Sequence, residues 1–212
     1  MSGRIGRIID TVRDLFNESS GGFLPDEFII RSMNRCQEDL ARENYWRGET
    51  CIPAEQGVCR IDLLTAIPRF QDLHQVRFIG CAAPMIPLDC FKEYQDLAAG
   101  SRSTGTPQYY VVQNNSLYVW PAPASSSESG FCVYHSYLPD DLTGSPENPD
   151  PRVPQAYDML YVYFVLKLAF LRDRHAPGAD TKFAEYSRLY EMEKQGLLGE
   201  GDPPRLAVRP SR

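Results

Sequence analysis

Tyr109-Tyr110-Val111-Val112-Gln113-Asn114-Asn115-Ser116-Leu117-Tyr118-Val119-Trp120 is the stretch that decides the fold class. Two runs of β-branched and aromatic residues flank a polar Asn-Asn pair, the composition of two antiparallel strands joined by a tight turn. Alternation continues on both sides of this hairpin. Val58 to Leu63 and Gln75 to Ile79 alternate upstream, and Gly130 to Tyr137 forms a further strand downstream. Residues 49–138 are therefore expected to be a β insertion, with a short helix over Leu88 to Ala98. Ala122 to Gly130 reads as a polar loop of small residues, and Pro139 to Pro154 as a long proline-studded connection.

Outside the insertion the period is helical. Ile5, Ile8, Ile9, Val12, Leu15 and Phe16 recur at helical spacing opposite Arg4, Arg7, Asp10, Arg13 and Asp14, which predicts a helix over 2–17. Asn17 to Gly22 is a turn signal. A second helix is predicted over 25–45, with Pro25, Asp26 and Glu27 at its start and Ile29, Met33, Cys36 and Leu40 along its buried stripe. Downstream, Pro154-Gln155-Ala156-Tyr157 opens an apolar helix over 155–172, which Pro177-Gly178 ends. Ala179, Phe183, Tyr186 and Tyr190 mark a fourth helix over 179–197. Pro203, Pro204 and Pro210 keep 199–212 from being helical in bulk. The expected fold is α+β: a bundle of about four helices, a β-hairpin and small sheet inserted between the helix pairs, and an extended C-terminal arm. The boundaries are one domain, 1–198, and the arm, 199–212.

The 212 residues carry 22 basic and 28 acidic side chains, a net charge of −6. Duplex binding depends on phosphate neutralisation by Lys and Arg, so this balance argues against a dedicated DNA-binding protein. Tyr109, Tyr110, Tyr118, Trp120, Tyr134 and Tyr137 have the aromatic content of a base-stacking platform. Little basic charge lies among them, however, and they read as filling the faces of a sheet. The longest apolar run, Met159 to Leu166 and onward to Leu171, is interrupted by Lys167 and is shorter than the ~20 residues of a bilayer span. No apolar stretch follows the charges at the N-terminus, so no secretory leader is expected.

The six cysteines, Cys36, Cys51, Cys59, Cys81, Cys90 and Cys132, include no C-x-x-C pair. His74, His135 and His175 are scattered, so neither a disulfide framework nor a zinc site is expected, and the thiols read as reduced. No G-x-S-x-G elbow or phosphate loop is present. An enzyme would need a pair such as Cys132 with His135 or His74. Three positions along a strand put Cys132 and His135 on opposite faces. The expectation is no catalytic residue, no metal and no cofactor.

Three stretches resemble the head–tail adaptor proteins of tailed bacteriophages. The first is Ile8 to Glu18, similar to that family's opening helix. The second is Asp26 to Arg42, with Asn34 and Gln37 three apart. The third runs through Pro107-Gln108-Tyr109-Tyr110, Leu117-Tyr118-Val119-Trp120-Pro121-Ala122-Pro123, Val133-Tyr134 and Leu138-Pro139, ending at Val153-Pro154 and Tyr157 to Phe170. The family shows the same succession: a Pro-aromatic strand, a strand closed by P-x-P, a strand ending near Pro, and a Pro-opened apolar helix. Residues 49–106 do not align with it.

The resemblance implies a structural virion protein at the neck between capsid and tail, made in the bacterial host cytoplasm. Such proteins form a homo-oligomeric ring, usually of twelve copies, beneath the portal. They extend the channel through which duplex DNA passes and provide the platform for tail attachment. Implied partners are the portal protein and a tail or neck protein (nozzle, stopper or tail tube), with no membrane. The arm residues Arg205, Leu206, Val208, Arg209 and Arg212 are the expected portal contacts. Loop residues Ser125, Ser127, Glu128, Asp140 and Asp141 are the expected tail-facing or neighbour-facing ones. The alternatives are a stopper or tail-completion protein of the same neck, a small cytosolic Cys-dependent hydrolase, and a non-viral oligomeric interaction module.

Overall fold

The computed structural model describes residues 3–17, 23–100, 103–143, 151–173, 175 and 177–199, and the backbone of 206–207. It is a mixed α+β fold whose contacts divide the chain into two compact units. One comprises 1–43 and 139–202; the other comprises 44–138 and 203–212.

The first unit is helical. It contains α1 (Arg4–Phe16), α2 (Asp26–Arg42), α5 (Asp158–Arg172) and α6 (Ala179–Gly199). A single 3-10 turn, Gln155–Tyr157, leads into α5. Pro25, not a Ser or Thr, occupies the N-cap of α2, and its carbonyl accepts from the Phe28 and Ile29 N–H groups. Arg13 reaches across to Asp26 and to the Leu24 carbonyl, fixing that turn from outside. α5 packs against α1, α2 and α6. Leu160, Tyr161, Val162, Phe164, Val165, Leu166 and Ala169 are all buried, covering most of its circumference. Lys167 is accommodated by lying over the Phe164 and Tyr190 rings, at 4.2 and 4.0 Å from their centroids.

The second unit holds β1 (Arg47–Ala54), β2 (Arg60–Asp62), α3 (Leu63–Ala66), β3 (Phe70–Phe78), β4 (Ile86–Pro87) and α4 (Phe91–Gly100). Then follow β5 (Thr104–Gly105), β6 (Tyr109–Gln113), β7 (Ser116–Trp120), β8 (Ala122–Pro123), β9 (Ser127–Tyr137) and β10 (Leu206–Ala207). One sheet has the order β10-β1-β9-β3, a second β2-β7-β6-β4, and β5 pairs with β8. β6 and β7 form the hairpin read from the sequence. Asn114 and Asn115 both have positive φ, 50° and 58°, as a two-residue turn of that hand requires. The two larger sheets share one apolar core: Ile52, Phe70, Val76, Phe131 and Val133 from the first meet Tyr110, Leu117 and Val119 from the second. Leu63 and Ile67 complete it. Phe91 and Tyr94 of α4 pack on Tyr118.

In two places the backbone departs from the expected pattern. The alternation from Val58 to Leu63 gives only the short β2. The Asp62 carboxylate accepts from the Leu64 and Thr65 N–H groups and so starts α3 inside the expected strand. The stretch 122–130 is not all loop, because β9 begins at Ser127 and pairs Ser127 with Ala54. Pro53 has no N–H for the ladder, and the register shifts between Ile52 and Ala54, so β9 continues past the irregularity. Gly130 makes that approach possible: a Cβ there would lie 2.1 Å from the Ala54 Cβ.

Candidate functional site

The connection that leaves the sheet unit is held by side chains of α2. Asn34 of α2 brackets Leu142 with two hydrogen bonds. Its Nδ2 donates to the Leu142 carbonyl at 3.0 Å, and its Oδ1 accepts from the Leu142 N–H at 2.8 Å. Gln37, buried one turn on, donates to the Asp140 carbonyl and to Asn34 Oδ1. Leu142 is itself buried. The Asn-x-x-Gln spacing thus serves one purpose: two amides on one helix face satisfy the backbone of an irregular segment. Asp140 and Asp141 are left exposed beside it, and Asp140 lies 3.7 Å from Arg152.

The start of α5 is clamped in the same manner. Arg4 of α1 bonds Asp158 through Nε at 2.7 Å and gives Nη1 and Nη2 to the Pro151 and Val153 carbonyls at 2.7 and 2.6 Å. The planar guanidinium therefore spans three acceptors along the segment that enters the helix. A second polar group joins α2 and α6. The Asp39 carboxylate accepts from Tyr190 Oη at 2.6 Å and from Lys194 Nζ at 3.1 Å, and Lys194 also faces Glu43 and Glu191. Burial alone pushes the Asp39 carboxyl up, but the hydrogen bonds from Tyr190 and Lys194 outweigh it and hold it below the usual range. Burial pulls the Lys194 ammonium down, yet Asp39 reverses this and keeps it raised. Cys36, buried beside them, is raised well above the ordinary thiol, first by desolvation.

The expected loop residues Ser125, Ser127 and Glu128 are exposed, the last two at the start of β9 rather than in a loop. Of the expected arm contacts, Leu206 lies in β10, which pairs in parallel with β1 at Gly48 and Glu49. Arg205, Val208, Arg209 and Arg212 lie outside the described residues.

Cys132 and His135 do not form a nucleophile–base pair. Cys132 Sγ donates to Glu49 Oε1 at 2.7 Å on one face of β9; His135 Nε2 lies 2.9 Å from Thr50 Oγ1 on the other. Burial and then the Glu49 hydrogen bond raise the Cys132 thiol, the reverse of what an activated nucleophile needs. Burial lowers His135. Among the described residues, no group of three or more His, Cys, Asp and Glu side chains is placed to hold a metal. No helix among them is long and apolar enough to cross a membrane.

The sequence could not announce Arg4, Asp39 or Lys194 as partners, since each pair joins residues about 150 positions apart. Asn34 and Gln37 were visible as a pattern, but the segment they hold was not.

Against known proteins, the model of the SU10 adaptor protein family matches residues 4–208. No curated protein matches the chain. A match over nearly all of the chain places it in that family of bacteriophage adaptors.

Proposed function

We propose that this SU10-family adaptor is a structural subunit of the virion neck. Twelve copies form a ring beneath the portal, prolong the DNA channel and carry the platform for tail attachment. Residues 1–198 act as one subunit body, and 199–212 as the arm that seats on the portal through Arg205, Leu206, Val208, Arg209 and Arg212. Ser125, Ser127, Glu128, Asp140 and Asp141 face the tail or the neighbouring subunit. The family match over residues 4–208 carries this reading.

Two physical observations support it. The net charge of −6 suits a conduit for DNA, because like charge on the wall keeps phosphates from adhering. The candidate loop residues are exposed, and the Asn34 and Gln37 amides hold the backbone beside Asp140 and Asp141 in one conformation. Ordering before contact lowers the entropy cost of forming an interface.

The test is co-sedimentation of the full chain with portal rings of the same phage, followed by imaging of the complex. Arg205→Glu with Arg209→Glu is expected to weaken portal binding at least tenfold while leaving circular dichroism unchanged. Unaltered binding by that variant overturns the assignment of the arm. Absence of the chain from purified particles overturns the neck reading as a whole.

A further inference from the structure

β9 is the strand between β1 and β3, and its register with β1 sets Cys51 directly opposite Cys132. Opposed pairs along an antiparallel ladder alternate between hydrogen-bonded and non-hydrogen-bonded kinds. Which kind this one is follows from the end of the ladder. The Tyr137 N–H donates to the Trp46 carbonyl at 3.0 Å. These two residues lie one step beyond the Arg47–Ser136 pair, so they are a hydrogen-bonded pair. The register is unbroken from Arg47 to Ile52. Counting in twos, Gly48–His135 and Thr50–Val133 are hydrogen-bonded, while Glu49–Tyr134 and Cys51–Cys132 are not.

That distinction matters for sulfur chemistry. Residues opposed at a non-hydrogen-bonded position have Cα atoms about 4.5 Å apart and side chains on one face. A disulfide accepts Cα separations of roughly 4.4–6.8 Å. The orientation of the side chains agrees: Cys132 Sγ reaches Glu49, which precedes Cys51 by two residues and shares its face. Cys51 is exposed and open to a dissolved oxidant, and both thiols are free. Neither is used by the function proposed above.

We propose that Cys51 and Cys132 are a modification site, closing into a cross-strand disulfide when the protein leaves a reducing compartment. The oxidant is a low-molecular-weight disulfide, represented by oxidised glutathione. The Cys51 thiolate attacks one glutathione sulfur, forming a mixed disulfide and releasing one glutathione thiolate. Cys132, its proton passed to solvent, then attacks the Cys51 sulfur and releases the second. Two protein thiols are oxidised, and one glutathione disulfide is reduced to two glutathiones. Because burial and Glu49 keep Cys132 protonated, closure quickens as pH rises.

The experiment incubates the full-length chain with oxidised glutathione at neutral and mildly alkaline pH, alkylates the remaining thiols, and maps peptides without reduction. The expected product is a monomer with four of its six cysteines alkylated and one peptide pair joining Cys51 to Cys132. It forms faster at the higher pH, melts at higher temperature and reverts with dithiothreitol. Cys51→Ser changes an exposed side chain and should abolish the linked pair with an unchanged circular dichroism spectrum. Full alkylation of both cysteines after oxidation overturns the proposal. So does a stable glutathione adduct at Cys51 that never resolves, or pairing of either cysteine with a different one.

Discussion

The sheet unit encloses Ile52, Leu63, Val76, Leu117, Val119, Phe131 and Val133 in a core of apolar and aromatic side chains. The helical unit is equally apolar around α5 but sets Arg4, Asp39 and Lys194 among its helices, each bonded to several partners. The two chemistries answer different ambiguities. A strand's side chains alternate with a period of two, so where one face is buried a one-residue slip exposes apolar groups and burial itself opposes the slip. Cross-strand polar contacts such as Cys132–Glu49 and His135–Thr50 act beside it. A helix buried on most sides, as α5 is, has no such preferred rotation. The Arg4–Asp158 clamp and the Asp39–Tyr190–Lys194 cluster supply fixed points that apolar contact does not.

The contrast can be tested unit by unit because both tryptophans, Trp46 and Trp120, belong to the sheet unit. Tryptophan fluorescence therefore follows the sheets during urea unfolding, while far-ultraviolet circular dichroism is weighted toward the helices. The largest effect is expected for Phe131→Ala. Phe131 is fully buried, and its truncation should cost about 3–5 kcal/mol, read first in the fluorescence transition. Arg4→Ala strands Asp158 and two carbonyls. It should cost about 2–3 kcal/mol and appear first in the dichroism transition. If both variants shift both transitions equally, the units unfold as one and the contrast fails.

Gly130→Ala probes the sheet unit by crowding rather than by emptying it. The added methyl meets the Ala54 Cβ and, at 2.7 Å, the Ala54 backbone nitrogen, so a loss of about 1–3 kcal/mol is expected from the fluorescence midpoint. Asn34→Ala should cost about 1 kcal/mol and raise hydrogen exchange at the Leu142 amide. The smallest effect is on pH dependence. The Asp39 carboxyl titrates below its ordinary value of ~3.9, so its contribution is complete above that value and is lost as pH falls through the folded one. Acidification should thus lower the dichroism midpoint, and Lys194→Met should flatten that dependence.

Much of the secondary structure was legible because it follows a period. The apolar spacing of α1 and α2, the Pro-opened α5 and the Asn-Asn hairpin all coincide with the observed elements within a few residues. Legibility failed where backbone geometry displaced pattern. β3 carries two register shifts against β9, between Phe70 and Asp72 and between Leu73 and Gln75, so its alternation broke and only its second half was recognised. Asp62 reads as a polar strand position, yet it caps a helix. The early start of β9 depended on a glycine meeting an alanine seventy-six positions away in the chain. The polar groups that anchor the connection and α5 were invisible for a related reason: partner choice across such separations is a property of the folded state.

The ladder between β1 and β9 also has a consequence for how such a chain is built. It fastens the first strand of the insertion to the last, and the Tyr137-to-Trp46 bond closes it where the polypeptide arrives and departs. Everything between is a cassette whose two ends already meet. Relatives could therefore exchange or trim that cassette, and an engineer could substitute a short turn for it, without stretching the flanking segments. Variation in length should accordingly concentrate there, while the helices keep their spacing.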